Sequence, residues 1–135
     1  MGEGSRSKRI LVIEDDESQV RLLRGLLEPL GYEIHAVRCG TTALACVSDM
    51  QPVLIVLDLG LPDMDGLEVA RKLRQTFHPW SLPILMLTGM NRPVDQLRGF
   101  AHGADAYLTK PCEPPEFVRT VVSMLGETEA QPAGV

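Results

Sequence analysis

Five short runs of apolar residues alternate along the chain with segments in which apolar residues recur every three or four positions. The runs cover residues 10–13, 32–37, 53–57, 83–87 and 106–109. The first, third and fourth runs are nearly continuous Val, Ile and Leu, which is typical of strands buried on both faces of a parallel sheet. In the second run, Glu33 and His35 alternate with apolar residues, which predicts a half-covered edge strand.

The segments between the runs have helical spacing, and most begin or end at a residue that favours a helix boundary. These boundary residues are Gly31, Asp65, Pro93 and Pro114. In the fourth helix the spacing predicts that Val94, Leu97 and Ala101 face the core.

Strand and helix alternate five times, which predicts an α/β domain with one central parallel sheet and helices on both faces. The length of 135 residues fits one domain. We assign residues 9–126 to this domain, residues 1–8 to an N-terminal arm, and residues 127–135 to a flexible tail or the start of a linker.

The composition argues against several classes of function. The net charge is −5 and no basic stripe occurs, which argues against nucleic-acid binding by this segment. No apolar run is long enough for a membrane span, and the first residues lack the apolar core of a secretion signal. The three cysteines form no CxxC pair, which argues against a zinc site or a disulfide framework and favours a cytoplasmic location.

Polar and charged residues gather where the predicted strands end. Glu14 and Asp15 follow the first strand, Asp58 the third, Thr88 the fourth and Lys110 the fifth. The functional crevice of a parallel sheet lies beyond the carboxyl ends of its strands, so we expect these side chains to converge. Three carboxylates with a hydroxyl and an ammonium suit Mg²⁺ (or Mn²⁺) together with a phosphoryl group.

Four motifs carry a resemblance to a known family. ILVIEDDE, VLDLGLPDMDG, LMLTG and GADAYLTKP occur in this order, each at a predicted strand end. Together they resemble the motifs of response-regulator receiver domains, the CheY-like module of two-component signalling, over about residues 8–125. The resemblance implies a doubly wound (βα)5 fold, flavodoxin/CheY-like, with strand order 2-1-3-4-5. It also implies a signalling switch rather than an enzyme, phosphorylated by a histidine kinase or a phosphotransfer protein.

The resemblance implies a role for each acidic residue at the strand ends. Asp58 matches the phospho-acceptor, Asp15 a direct metal ligand, and Glu14 an acidic partner that acts through metal-bound water. The backbone carbonyl of Gly60 would complete the protein's share of the metal sphere. By contrast, Asp16 and Glu17 are assigned to the first turn of the following helix, where negative charge favours the helix dipole.

The resemblance also implies a switch. Thr88 would hydrogen-bond the phosphoryl oxygen, Lys110 would pair with it, and Tyr107 would then move inward. A cis Lys110–Pro111 bond is implied as well. The face formed by the fourth helix, fifth strand and fifth helix would change as a result, and would bind a homodimer partner or an output domain.

Some positions depart from the family pattern. Gly60 and Met90 flank the site without a charged or amide side chain, so the lifetime of the phosphoryl group stays open. Ala106 and Cys112 stand where the DNA-binding, winged-helix branch often has aspartate and phenylalanine, which weakens the case for that branch's mode of dimerisation.

Three other functions compete with a phosphoryl-accepting switch. A pseudo-receiver would bind a partner without phosphorylation, but the full set of strand-end residues argues against it. A haloacid-dehalogenase-type phosphatase requires Asp-x-Asp, whereas Asp58 is followed by Leu59 and Gly60. A flavodoxin-type binder requires a phosphate loop rich in glycine and hydroxyls after the first strand, where this chain has four carboxylates.

Overall fold

The computed structural model describes residues 8–78 and 81–126, which form a five-stranded parallel sheet in the order β2-β1-β3-β4-β5. The strands are β1 (Arg9–Ile13), β2 (Glu33–Val37), β3 (Leu54–Leu57), β4 (Ile84–Thr88) and β5 (Ala106–Thr109). The helices are α1 (Glu17–Leu27), α2 (Gly40–Met50), α3 (Gly66–Thr76), α4 (Pro93–Ala101) and α5 (Pro114–Met124). A 3₁₀ turn, Glu28–Leu30, follows α1. The predicted fold class and strand order are confirmed. Residues 1–7 and 127–135, which hold most of the predicted arm and the whole predicted tail, lie outside the described residues.

Alternate residues of the central strands supply two hydrophobic layers, one on each face of the sheet. In β1, Ile10 and Val12 pack with α1 and α5, whereas Leu11 and Ile13 pack with α2 and α3. All four are fully buried. Successive side chains of a strand point to opposite faces, so burial on both faces requires the continuous apolar runs seen in the sequence. None of the helices within the described residues is long and apolar enough to span a membrane.

The strand register brings the strand ends to one edge of the sheet. Ile13 lies opposite Leu57, and Thr88 lies opposite Thr109. The ladder continues one residue further, because the Asp58 amide donates to the Ile13 carbonyl at 3.1 Å. The residues that follow directly on β1, β3 and β5 therefore lie at the same edge; they are Glu14, Asp58 and Lys110.

The predicted inward face of α4 is wrong. Val94 is 40% exposed and Leu97 is 70% exposed, and the buried residues of this helix are Asp95 and Gly99. A Cβ atom on Gly99 would lie 2.8 Å from the Tyr107 ring, so β5 leaves no room there for a larger side chain. The apolar stripe of α4 therefore points to solvent.

A partly buried arginine holds the loops at the opposite end of the sheet. Arg74 donates to the carbonyls of Leu82 at 2.7 Å and Gly103 at 2.9 Å, and forms an ion pair with Asp105. Asp105 also accepts the Ile84 amide at 2.9 Å. Burial lowers the pKa of the Arg74 guanidinium, and the charge of Asp105 opposes this change. Arg74 thus links α3 to both ends of the segment that carries β4 and α4.

Candidate functional site

Three carboxylates converge at the edge of the sheet where β1 and β3 end. Oxygen atoms of Glu14, Asp15 and Asp58 lie within 4.8 Å of one another. Glu14 is 4% exposed and Asp58 is 9% exposed, whereas Asp15 is more open to solvent. Every potential ligand atom is a carboxylate oxygen, the donor that hard divalent cations such as Mg²⁺ prefer. The residues therefore fit such an ion.

Lys110 contacts two of the three carboxylates from the end of β5. Its Nζ donates to Glu14 Oε1 at 2.8 Å and to Asp58 Oδ2 at 3.3 Å. The following peptide bond, Lys110–Pro111, is cis, as the resemblance implies. One ammonium thus lies between two acids that would otherwise repel each other.

The site shifts the pKa values of its buried groups. Burial raises the pKa of Glu14, the hydrogen bond from Lys110 opposes this rise, and the negative charge of Asp58 adds to it. For Lys110, burial acts to lower the pKa, but the hydrogen bond and charge of Glu14 and the charge of Asp58 together raise it. The side chain of Lys110 consequently remains an ammonium at neutral pH.

The backbone of Met90 connects Thr88 to Tyr107. Thr88 is 1% exposed, and its hydroxyl accepts the Met90 amide at 3.3 Å. The Tyr107 hydroxyl donates to the Met90 carbonyl at 2.8 Å, and its ring lies against Gly99 of α4. Burial raises the pKa of Tyr107, with further contributions from the charges of Asp95 and Asp58. The two residues predicted to form the switch are therefore linked through one residue's backbone.

The loop between β3 and α3 wraps closely around Asp58. The Gly60 amide donates to Asp58 Oδ1 at 3.2 Å, and Gly60 forms an antiparallel bridge with Asp65. The Gly66 amide donates to the Leu59 carbonyl at 3.1 Å. A Cβ atom on Gly66 would lie 2.6 Å from the Leu59 Cα and 2.8 Å from the Asp58 carbonyl oxygen, so only glycine allows this approach. The base of the loop is thereby fixed next to the Asp58 side chain.

Asp63, at the tip of the same loop, caps a different helix. Its Oδ1 accepts the Gly40 amide at 2.9 Å, and its Oδ2 accepts the Thr41 amide at 2.9 Å and the Thr41 hydroxyl at 2.6 Å. These bonds, with the Thr41 hydroxyl contributing most, lower the pKa of Asp63 to about 2. The sequence did not reveal this contact, because the bonded residues lie 22 and 23 positions away and share no motif with Asp63.

The acidic residues assigned to the first helix behave as expected. Asp16 is the N-cap of α1, and its Oδ1 accepts the Ser18 amide at 2.9 Å. Glu17 lies in the first turn and pairs with Arg38 at 3.4 Å. The run of four carboxylates after β1 is therefore divided between the acidic cluster and the start of α1.

Comparison with known proteins places this geometry in a family. The family model described as the response regulator receiver domain matches residues 10–122. The alkaline phosphatase synthesis transcriptional regulatory protein PhoP of Bacillus subtilis is 42% identical over 123 residues, which are 91% of this chain and 50% of PhoP. The DNA-binding response regulator MtrA of Mycobacterium tuberculosis H37Rv is 39% identical, over 93% of this chain and 54% of MtrA. The chain thus spans about half the length of these relatives.

Solved structures have the same fold. A response regulator from Chloroflexus aurantiacus matches with a TM-score of 0.81 and 34% identity, over 90% of this chain and 99% of that one. The receiver domain of the sensor histidine kinase PA1611 from Pseudomonas aeruginosa, described with a magnesium ion coordinated in its active-site cleft, matches with a TM-score of 0.79 and 26% identity. That match covers 90% of this chain and 99% of the other.

The pKa of Asp63 predicts a pH dependence of stability. A depressed pKa contributes stability that is present above the unfolded-state pKa and is lost as the pH falls through the folded-state value. Wild type and Asp63→Asn should therefore differ most in free energy of unfolding above about pH 4, and converge between the ordinary value of 3.8 and the folded value of about 2. Urea unfolding of both proteins across this range measures the difference. A difference in free energy of unfolding that stays constant with pH would contradict the lowered pKa of Asp63.

Proposed function

This chain belongs to the response regulator receiver domain family, and we propose that Asp58 accepts a phosphoryl group from a histidine kinase or a phosphotransfer protein in a Mg²⁺-dependent reaction. Receiver domains of this family are signalling switches rather than classical enzymes. One observation carries the proposal. Lys110 Nζ lies 2.8 Å from Glu14 and 3.3 Å from Asp58, at the cluster of three carboxylates.

Phosphoryl transfer requires one carboxylate oxygen of Asp58 to attack phosphorus. An O–P bond forms, the P–N bond of phosphohistidine breaks, and the imidazole leaves with the bonding electron pair. The amide of Gly60 and the ammonium of Lys110 hold opposite oxygens of the Asp58 carboxylate, at 3.2 and 3.3 Å, which orients the nucleophile. Negative charge spreads over three equatorial oxygens in the transition state, and Lys110 is close enough to neutralise part of it.

The carboxylates supply the remaining requirement, which is a cation site. Glu14, Asp15 and Asp58 offer three carboxylate groups, and we assign the backbone carbonyl of Gly60 to the same site. When bound there, Mg²⁺ supplies positive charge to the phosphoryl oxygens. The magnesium ion described for the PA1611 receiver domain supports this assignment. Mn²⁺ takes the same oxygen donors and is expected to substitute.

We propose that a change at Thr88 reaches Tyr107 through the backbone of Met90. Rotation of Thr88 to donate its hydroxyl hydrogen to a phosphoryl oxygen would move the oxygen that now accepts the Met90 amide. Any movement of the Met90 peptide also moves the carbonyl that accepts the Tyr107 hydroxyl. A local change in charge would thus bias the position of Tyr107 and the surface of α4, β5 and α5, in the manner of other phosphorylation switches.

The competing functions lack support at this site. The pseudo-receiver interpretation has no specific observation in its favour, because the acid cluster, Thr88 and Lys110 are all at the strand ends. The phosphatase and flavin-binding alternatives are inconsistent with the family to which the chain belongs. Labelling with a small-molecule phosphodonor separates a phosphoryl acceptor from a binding module.

Removing the acceptor oxygen should abolish phosphorylation. Wild type incubated with an acyl phosphate and Mg²⁺ is expected to gain one phosphoryl group by intact-protein mass spectrometry, and to gain none when Mg²⁺ is chelated. Asp58→Asn keeps the shape of the side chain but loses the nucleophile, so it should remain unlabelled. Asp65→Asn, which alters a neighbouring helix cap, is the matched control and should still be labelled. Labelling of Asp58→Asn would show that the acceptor is another residue.

The exposed stripe of α4 favours the α4–β5–α5 face as the surface that docks a second copy of the chain or an output domain. The stripe consists of large apolar side chains between 40% and 70% exposed: Val94, Leu97 and Phe100, continued by Met90 in the preceding loop. Apolar side chains clustered on one face of a helix mark an interaction surface more strongly than scattered ones do.

A charge placed in this stripe tests the homodimer. If a second copy docks there, phosphorylated wild type should sediment as a dimer, and Leu97→Glu should remain monomeric because a carboxylate would be buried in the interface. Leu22→Glu on α1 introduces the same charge at a residue that is 44% exposed, and should still dimerise. A wild type that stays monomeric when phosphorylated would contradict the homodimer.

A further inference from the structure

The tip of the β3–α3 loop is hydrogen-bonded to α2 through the side chain of Asp63. Asp63 accepts three hydrogen bonds from Gly40 and Thr41, which form the first turn of α2. Next to it, Met64 fills the space that Gly40 leaves, since a Cβ atom there would lie 2.6 Å from the Met64 Cγ. Pro62, the residue before Asp63, is exposed. The loop tip therefore depends on Asp63 and on the packing of Met64 for its position.

The base of the loop connects its tip to the acidic cluster. Gly60 is bridged to Asp65, and its amide is bonded to Asp58. Four residues separate Gly60 from Asp65, so the segment is a tight hairpin closed at its base. A hairpin fixed at the base and at the tip leaves little freedom for the Gly60 peptide, whose carbonyl is assigned to the cation site.

We propose that Asp63 is a positioning residue for the cation site, because it anchors the loop that supplies the Gly60 carbonyl to α2. This inference rests on the proposed function, since it concerns the same Mg²⁺ site. Asp63 lies outside the acidic cluster, and its two carboxylate oxygens are engaged by α2. Its contribution is therefore to hold the ligand set in place, not to bind the ion.

Residues that orient metal ligands typically contribute about 10- to 100-fold in metal affinity. Because Asp63 acts on one backbone ligand, Gly60, through two intervening residues, we expect an effect at the lower end, about tenfold. Asp63→Ala should weaken Mg²⁺ binding by this factor. Asp63→Asn keeps one acceptor oxygen and should be affected less. At saturating Mg²⁺, Asp63→Ala should still be phosphorylated on Asp58, because no reacting group has been removed.

The experiment is a Mg²⁺ titration of ¹⁵N-labelled protein that follows the Gly60 amide by NMR, with phosphorylation at saturating Mg²⁺ as the second measurement. Arg74→Met is the matched control, because it removes partly buried hydrogen bonds at the opposite end of the sheet and lowers stability without touching the loop. Its Mg²⁺ dissociation constant should stay within about twofold of wild type, well below the ligand-positioning range.

Two results would overturn the inference while leaving the proposed function intact. One is an unchanged Mg²⁺ dissociation constant in Asp63→Ala. The other is a loss of Mg²⁺ affinity in Arg74→Met that equals the loss in Asp63→Ala. The second would show that reduced stability alone weakens the site. A wild type that neither binds Mg²⁺ nor accepts a phosphoryl group would overturn the proposed function, and this inference with it.

Discussion

Electrostatic repulsion at the carboxyl edge of the sheet is the constraint on which the site depends. At an effective dielectric constant of about 20, two ionised carboxylates 4.8 Å apart, the upper limit for the oxygen separations in the cluster, repel by about 3–4 kcal/mol. That cost is large beside the roughly 5–15 kcal/mol by which a domain of this size is stable. Lys110 offsets part of it by bonding Glu14 and Asp58. The remaining negative charge would attract a cation, and under the proposed function it would couple the binding of Mg²⁺ to the phosphorylation of Asp58.

The parallel sheet explains why such an unfavourable cluster can exist. The apolar strands β1 and β3 are buried on both faces, so the packing of the core fixes their register and holds Glu14 and Asp58 side by side. The core therefore supplies the free energy that keeps the acids together. Lys110 is brought to them by the last strand, β5, through the pairing of Thr88 with Thr109.

The sequence predicted the strand-end residues because their placement depends on short-range information. An apolar run specifies a buried strand, and the residue after it is at the edge of the sheet. The same logic failed for α4, where helical spacing placed Leu97 inside. The contact between Gly99 and Tyr107 determines which face of α4 packs against β5. Because it joins residues of two different elements, it leaves no periodic pattern in the sequence of either. Asp63 escaped prediction for the same reason, because its bonds to α2 are long-range.

The central claim is that the cluster is a cation site, and the most direct test is calorimetric titration of the wild-type protein with Mg²⁺, compared with Asp15→Asn. Asparagine preserves the volume of Asp15 and removes one negative charge from the ligand set, at a position that is not needed for the hydrophobic core. The account predicts that the wild type binds a single Mg²⁺ ion and that Asp15→Asn binds it much more weakly. Absence of binding to the wild type, or equal affinity in the variant, would contradict it.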